Sequence, residues 1–202
     1  MTAILKVDTI QDTSGNNIIN ESSDTITIGA SGDTVNVIGT LQSNGTAVPT
    51  VAGGITMADI WRLTANVTSN GFITSNLERA DDASYGKIGT GMTESSGVFT
   101  FPSTGIYLVQ SQGTFLSESG GDNVKLFTYV TINNSSYDLT AQMFGGSNNQ
   151  ENTGFGTCLV DVTDTSNVKV KFSGDSIGTN SNISGDTDNN KTSFTFIRLG
   201  DT

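Results

Sequence analysis

Apolar and polar residues alternate in short runs along this chain, and the runs are broken by Gly, Asn, Asp and Ser. Thr25-Ile26-Thr27-Ile28, Thr34-Val35-Asn36-Val37, Gly105-Ile106-Tyr107-Leu108-Val109, Lys125-Leu126-Phe127-Thr128-Tyr129-Val130, Val168-Lys169-Val170-Lys171-Phe172 and Ser193-Phe194-Thr195-Phe196-Ile197 are examples. A period of two bounded by turn residues predicts β-strands, and the Thr, Val, Ile and Phe content suits a half-buried pleated surface. Asn44-Gly45 and Asn70-Gly71 mark turns, since both residue types tolerate positive φ. Helical periodicity is almost absent, so the expected fold class is all-β throughout.

The pattern changes near residues 50–57. All ten Phe, all four Tyr and the single Trp61 come after it. Aromatics supply the bulk of a globular core, so residues 58–202 are expected to form a compact head, residues 1–50 something thinner, and 51–57 a linker. The thin part repeats: Ile10, Ile19, Ile28 and Val37 recur at steps of nine, and Ile26 and Val35 keep the same step. Recurring short strands predict a stacked β architecture. Each step offers two or three small apolar side chains, each stabilising by roughly 1.5–3 kcal/mol when fully buried. Ordering each residue costs roughly 1–2 kcal/mol, so one copy cannot make a core. Three copies about one axis could turn Ile10, Ile19, Ile26, Ile28, Val35 and Val37 inward. The expectation is a threefold, intertwined β shaft.

Composition removes several classes of chemistry. The 202 residues include 20 Asp and Glu against 9 Lys and Arg, a net charge of −11, with no His and one Cys. That balance opposes nucleic acid or an anionic membrane surface as partner. Without His there is no Ser-His-Asp, Cys-His or His-metal arrangement. A lone Cys158 closes no intramolecular disulfide, and within Thr157-Cys158-Leu159-Val160 it reads as a small buried hydrophobe. No run approaches the roughly 20 apolar residues of a membrane span, and the first residues lack the apolar stretch of a signal peptide.

Gly97-Val98-Phe99-Thr100-Phe101-Pro102-Ser103-Thr104-Gly105-Ile106-Tyr107-Leu108 resembles the signature of C1q/TNF-like jelly-roll domains, with Phe99, Gly105 and Tyr107 in the Phe and Gly-x-Tyr positions. Trp61–Val67 resembles the opening strand, Gly154–Val162 with Val168–Phe172 a late hairpin, and Ser193–Leu199 the closing strand. Phe194 and Phe196 would then lie in the core with Trp61, Phe99 and Tyr107. Family positions usually held by aromatics are Val109, Ser111 and Met92 here, and a usual Asn is Lys87. The resemblance implies a jelly-roll sandwich that assembles as a homotrimer.

Leu5–Asn16, followed by Gly39-Thr40-Leu41-Gln42-Ser43-Asn44-Gly45, resembles the N-terminal regions of marine tailed-phage fibre and other virion proteins. That implies a short virion-anchoring end that meets another virion protein, a stalk and a displayed head. The expected function is a non-enzymatic virion fibre whose head adheres to a host-surface glycan. A capsid decoration or cement protein, and a glycan-degrading enzyme, stay open as alternatives. The expected location is the virion, with no cofactor, no nucleic acid and no membrane insertion.

Three groups of residues are candidate sites. Asp186, Asp188 and Asn190 alternate like Ca²⁺ ligands, but the sixth position is Lys191 rather than Gly and no bidentate Glu closes the loop. Glu78, Asp81 and Asp82 form the densest charge cluster; paired carboxylates can hydrolyse glycosidic bonds, although a solvated loop is the commoner outcome. The polar stretches 117–123, 145–152 and 174–191 place Asp122, Asn123, Asn148, Asn149, Asn152 and Asp175 on connections between strands, the usual location of recognition residues.

Overall fold

A computed structural model describes residues 9–11, 13–15, 17–22, 25–28, 32, 34–38, 40–43, 46–47, 54–118, 123–146 and 150–202. The chain divides into two compact units, residues 1–53 and 54–202.

In the first unit, β1 (Thr9–Gln11), β2 (Asn17–Ser22) and β3 (Thr25–Ile28) form an antiparallel three-stranded sheet, while β4 (Gln42–Ser43) and β5 (Thr46–Ala47) pair with each other. The nine-residue step has a direct structural meaning here. Ile10 lies opposite Ile19, and Ile19 lies opposite Ile28. Residues directly opposite project from the same face, so the repeat becomes a cross-strand ladder of isoleucines. Within one chain these rows are open to solvent: Ile10, Ile19, Ile26, Ile28, Val35 and Val37 are all exposed.

The second unit is a sandwich of two antiparallel sheets. Its strands are β6 (Ala58–Leu63), β7 (Gly71–Phe72), β8 (Leu77–Arg79), β9 (Thr93–Ser95), β10 (Val98–Thr100), β11 (Gly105–Ser117), β12 (Lys125–Thr131), β13 (Asp138–Phe144), β14 (Gln150–Val162), β15 (Lys169–Asp175), β16 (Asn182–Ile183) and β17 (Ser193–Gly200). One sheet runs β14-β11-β17-β6-β8, with β16 on β11. The other runs β13-β12-β15-β10-β9, with β7 on β15.

Alternation along each strand decides what faces the core. In β11, Tyr107, Val109, Ser111 and Phe115 point inward, while Ile106, Leu108, Gln110 and Gln112 point out. Phe99, Phe172, Phe194 and Phe196 cluster at the centre, with Phe172 and Phe194 stacked at 3.7 Å between centroids and Phe99 and Phe196 at 5.2 Å. Trp61 packs edge-on against Phe99 at 5.4 Å. Each such pair adds about 0.5–1.5 kcal/mol beyond the area it buries.

The Phe99–Tyr107 segment works as a strand–turn–strand unit. Gly105 opens β11 at φ +140, where an added Cβ would lie 2.5 Å from the Gly200 carbonyl oxygen. The Tyr107 hydroxyl reaches back to the Ser103 carbonyl at 3.0 Å, closing the turn. At Ser111 and Val109, where the resemblance would place aromatics, the core is filled differently. Val109 packs as an aliphatic, and Ser111 forms a buried hydroxyl pair with Thr128 at 3.0 Å.

Candidate functional site

The sandwich has two outward faces of different chemistry, and several loops meet at one of its ends. On the β14-β11-β17-β6 face, Leu159, Leu108, Ile197 and Ala58 form one cross-strand row, and Thr157, Gln110, Thr195 and Ile60 form the next. Neither row carries a charged side chain. Leu159 is 66 % exposed and Phe155, on the same strand face, is 60 % exposed. Exposed apolar surface of this kind is the type that self-association and docking faces use.

On the opposite face, aromatics surround a lysine. Phe72 and Tyr129 stand on either side of β15 with centroids 5.3 Å apart, and Tyr137 lies 6.2 Å from Phe72. The Lys171 ammonium sits 4.3 Å from the Tyr137 ring centroid and 5.1 Å from that of Phe72. Burial pushes the Tyr137 phenol above its ordinary pKa. Phe72 also lines a polar cavity of about 210 Å³ walled by Asn66, Ser69, Asn70, Thr74 and Asn76. This cavity is held by backbone bridges between Val67 and Ile183 and by the Asn70 side-chain oxygen, which accepts the Ile177 amide at 2.8 Å.

The strand ends gather the polar connections together. Ser117 pairs with Gln150, and Lys125 pairs with both Phe144 and Asp175, so the strand ends at Ser117, Lys125, Phe144, Gln150 and Asp175 lie at the same end of the sandwich. Asp122, Asn148 and Asn149 lie outside the described residues. Asn123 is exposed, and the Asn152 amide donates to the Gln150 carbonyl at 3.0 Å. Asp175 is bound to Lys125 at 3.4 Å and accepts the Ser176 hydroxyl. Burial acts to raise the Asp175 pKa, but Ser176 and Lys125 together hold it below the usual carboxylate value.

The Asp186 loop closes on itself. Its Oδ1 accepts the amides of Asp188 at 2.8 Å and Asn189 at 3.0 Å, and Lys191 approaches its Oδ2 at 3.7 Å. These backbone bonds depress the Asp186 pKa. Asp188 is exposed, and the Asn190 side-chain oxygen is buried without a hydrogen-bond partner among the described residues. The carboxylate thus caps its own turn.

Glu78, Asp81 and Asp82 converge on one cation. All three bind Arg62, at 2.7, 2.7 and 2.5 Å. Arg62 lies opposite Glu78 across β6 and β8, and its side chain is only 2 % exposed. Burial alone would lower its pKa, but hydrogen bonds to Asp82 and Glu78 outweigh that and raise it well above the ordinary guanidinium value. A second buried ionic group lies beside it. Asp59 accepts Arg79 Nε at 2.8 Å, the Trp61 indole at 3.0 Å and the Met92 amide at 2.7 Å. Arg79 stacks 4.7 Å over Trp61 and, with Asp59, Tyr85 and Lys87, lines a cleft of about 380 Å³.

Cys158 packs partly buried against the core, with the Thr140 hydroxyl 3.7 Å from its sulfur. Burial pushes its thiol pKa up, which disfavours the reactive thiolate. Of the residues expected in the head, Trp61, Phe99, Tyr107, Phe194 and Phe196 are buried. Arg62 and the Phe72–Lys171 group were missed. The signal for the second was the polar phase of β12, where Phe127 and Tyr129 occupy positions that alternation assigns to the outside.

This architecture is a TNF-like jelly-roll sandwich. It superposes on Eiger TNF from S. frugiperda with a TM-score of 0.51 and 15 % identity, covering 74 % of this chain and 96 % of that one. Two structures of murine APRIL are also similar. The one at pH 5.0 has a TM-score of 0.50 and 13 % identity, covering 70 % of this chain and 99 % of that one. The one at pH 8.5 has a TM-score of 0.51 and 12 % identity, covering 71 % and 98 %. No protein-family model and no curated protein sequence matches the chain.

Proposed function

We propose that this chain is the subunit of a non-enzymatic, homotrimeric virion fibre from a tailed phage, whose jelly-roll head adheres to a host-surface glycan. The observation that carries the reading is apolar surface left open on both units of one chain. In isolation the Ile10-Ile19-Ile28 ladder is exposed, as is Leu159, whose row neighbours Leu108 and Ile197 are half-buried. Partners identical to the chain itself would cover both. The trimeric habit of C1q/TNF-like domains supports three as the number, and the N-terminal resemblance supports a virion as the location.

Adhesion would then work by multivalency. Three identical heads engage a repetitive surface and raise avidity without new contacts per head. The carboxylates that could have served hydrolysis are instead bound to Arg62, in keeping with display rather than catalysis.

Two measurements test this. Sedimentation equilibrium should give three times the 21.1 kDa chain mass; a monomer at micromolar concentration overturns the trimer. Gold labelling of particles should decorate the tail; label over the capsid lattice reassigns the protein to decoration, and no label on particles removes the virion reading altogether.

A further inference from the structure

Lys171 is singular among the described cations. Arg62, Arg79, Lys125, Lys191 and Arg198 all contact carboxylates. Lys87 and Lys169 donate to the carbonyls of Thr90 and Thr165. Among the described residues Lys171 has neither kind of partner, and its ammonium rests against the rings of Phe72 and Tyr137. In a chain with a net charge of −11, a described cation left with neither a carboxylate nor a carbonyl is the exception. Aromatic faces hold it in place while leaving its hydrogen-bonding valences unfilled.

The surroundings define the complement. Phe72 is 47 % exposed, and Tyr129 and Tyr137 are half-buried with it on the outer face. Rings of this kind stack on the C–H faces of a pyranose. Next to them, the cavity behind Phe72 presents the amides and hydroxyls of Asn66, Ser69, Asn70, Thr74 and Asn76, which match sugar hydroxyls as donors and acceptors. The group lies on the sheet opposite the Leu159-Leu108-Ile197 row, so association through that row leaves it open.

We infer that the Phe72–Tyr129–Tyr137 cluster around Lys171, with the adjoining asparagine-lined cavity, is a binding site for a carboxylated pyranose such as a uronic acid in a surface polysaccharide. The rings take the sugar face, Lys171 takes the carboxylate, and the cavity takes hydroxyls of the neighbouring residue. The long-range repulsion between an acidic protein and an acidic polymer is screened beyond about 8 Å at physiological salt, so the local ion pair decides. This site deepens the adhesion reading and rests on it for its biological purpose, not for its chemistry.

The test uses the full chain with two probes, tetragalacturonate and a neutral galactose tetramer, by isothermal titration and by hydrogen-exchange footprinting. Tetragalacturonate should bind at least tenfold more tightly than the neutral tetramer and protect residues 70–73, 129 and 171. Lys171→Gln should remove that tenfold preference while leaving the melting temperature unchanged, and Phe72→Ala should weaken both probes. Equal binding of the two tetramers, protection confined to 117–118, 150–152 or 174–191, unaltered acid preference in Lys171→Gln, or no binding at 10 mM would each overturn the site. Binding to host cells separates this from the wider reading. If wild type and Lys171→Gln adhere to cells equally, adhesion stands and this site falls; if the saccharide binds here but the protein is absent from particles, the reverse holds.

Discussion

Leu108 and Leu159 face each other across β11 and β14 on the outside of the sandwich, with Leu159 two-thirds exposed. Directly opposed aliphatic side chains normally stabilise a sheet by shielding each other, yet here the pair and its neighbour Ile197 make a surface that water still reaches. If that surface is the trimer contact, Leu159→Asp places a charge at its centre. Sedimentation should then shift from trimer to monomer, while the near-ultraviolet circular dichroism of the head stays as in wild type, because Leu159 contributes nothing to the inner core. A trimer of unchanged stability in Leu159→Asp would place the contact elsewhere.

Arg62 is held by three carboxylates under nearly complete burial. Removing the cation from a buried pair costs about 3–5 kcal/mol, since its partners are left uncompensated. Glu78 and Asp82 are about one-third exposed and Asp81 three-quarters exposed, which puts Arg62→Ala at the lower end, about 3 kcal/mol. For a chain of this length that lowers Tm by roughly 6–12 °C. Asp81→Asn should cost less than about 1 kcal/mol, as for exposed pairs. Thermal unfolding followed by calorimetry distinguishes the two; equal losses would mean that the three carboxylates are not ranked by burial.

Ser111 and Thr128 meet at 3.0 Å across the two sheets, both fully buried. Ser111→Ala strands the Thr128 hydroxyl and should cost about 1–3 kcal/mol. Ser111→Ala combined with Thr128→Val removes both polar groups and should recover most of that loss. Urea unfolding of the single and double variants measures the coupling, and additive losses would show that the hydroxyls do not depend on each other.

Acid should destabilise the head through its capped turns. Asp164 accepts the Ser166 hydroxyl and amide and then Asn167, and these bonds depress its pKa; Asp186 is depressed by the amides of Asp188 and Asn189. A carboxylate whose folded pKa is lowered contributes stability that is fully present above its unfolded value, about 3.9. That contribution is lost as pH falls through the folded value. Tm should therefore hold from pH 7 to about 5 with respect to these groups and decline below about 4. Asp164→Asn and Asp186→Asn together should flatten that decline. A slope identical to wild type would assign the acid loss to other carboxylates.

Much of the sandwich can be read from alternation alone. In Gly105–Ser117 the phase of the pattern separates Tyr107 and Phe115 from Leu108 and Gln110, because successive side chains in a strand must point to opposite faces. The Phe99–Gly105–Tyr107 motif marks a turn that only a glycine at positive φ can open without striking the Gly200 carbonyl. The N-terminal repeat is equally legible as a spacing. That the step of nine aligns Ile10, Ile19 and Ile28 across antiparallel strands depends on turn length and register, and neither follows from the spacing itself.

The candidate sites were less legible, for a reason of distance. Arg62 reads as an ordinary polar position in a strand, and Glu78, Asp81 and Asp82 read as a charged loop; their union spans 16 to 20 residues of sequence. Lys171 reads as one more outward lysine, and Phe72 as an aromatic next to a turn, until β7 and β12 are laid on either side of β15. By itself the sequence determined the strands, their inward and outward phases and the two-part division of aromatics, because those depend on residues near in the chain. Only the tertiary structure decided which outward residues became neighbours. Sheet order brought residues from distant strands together, buried one arginine among three carboxylates, and set one lysine against two aromatic rings.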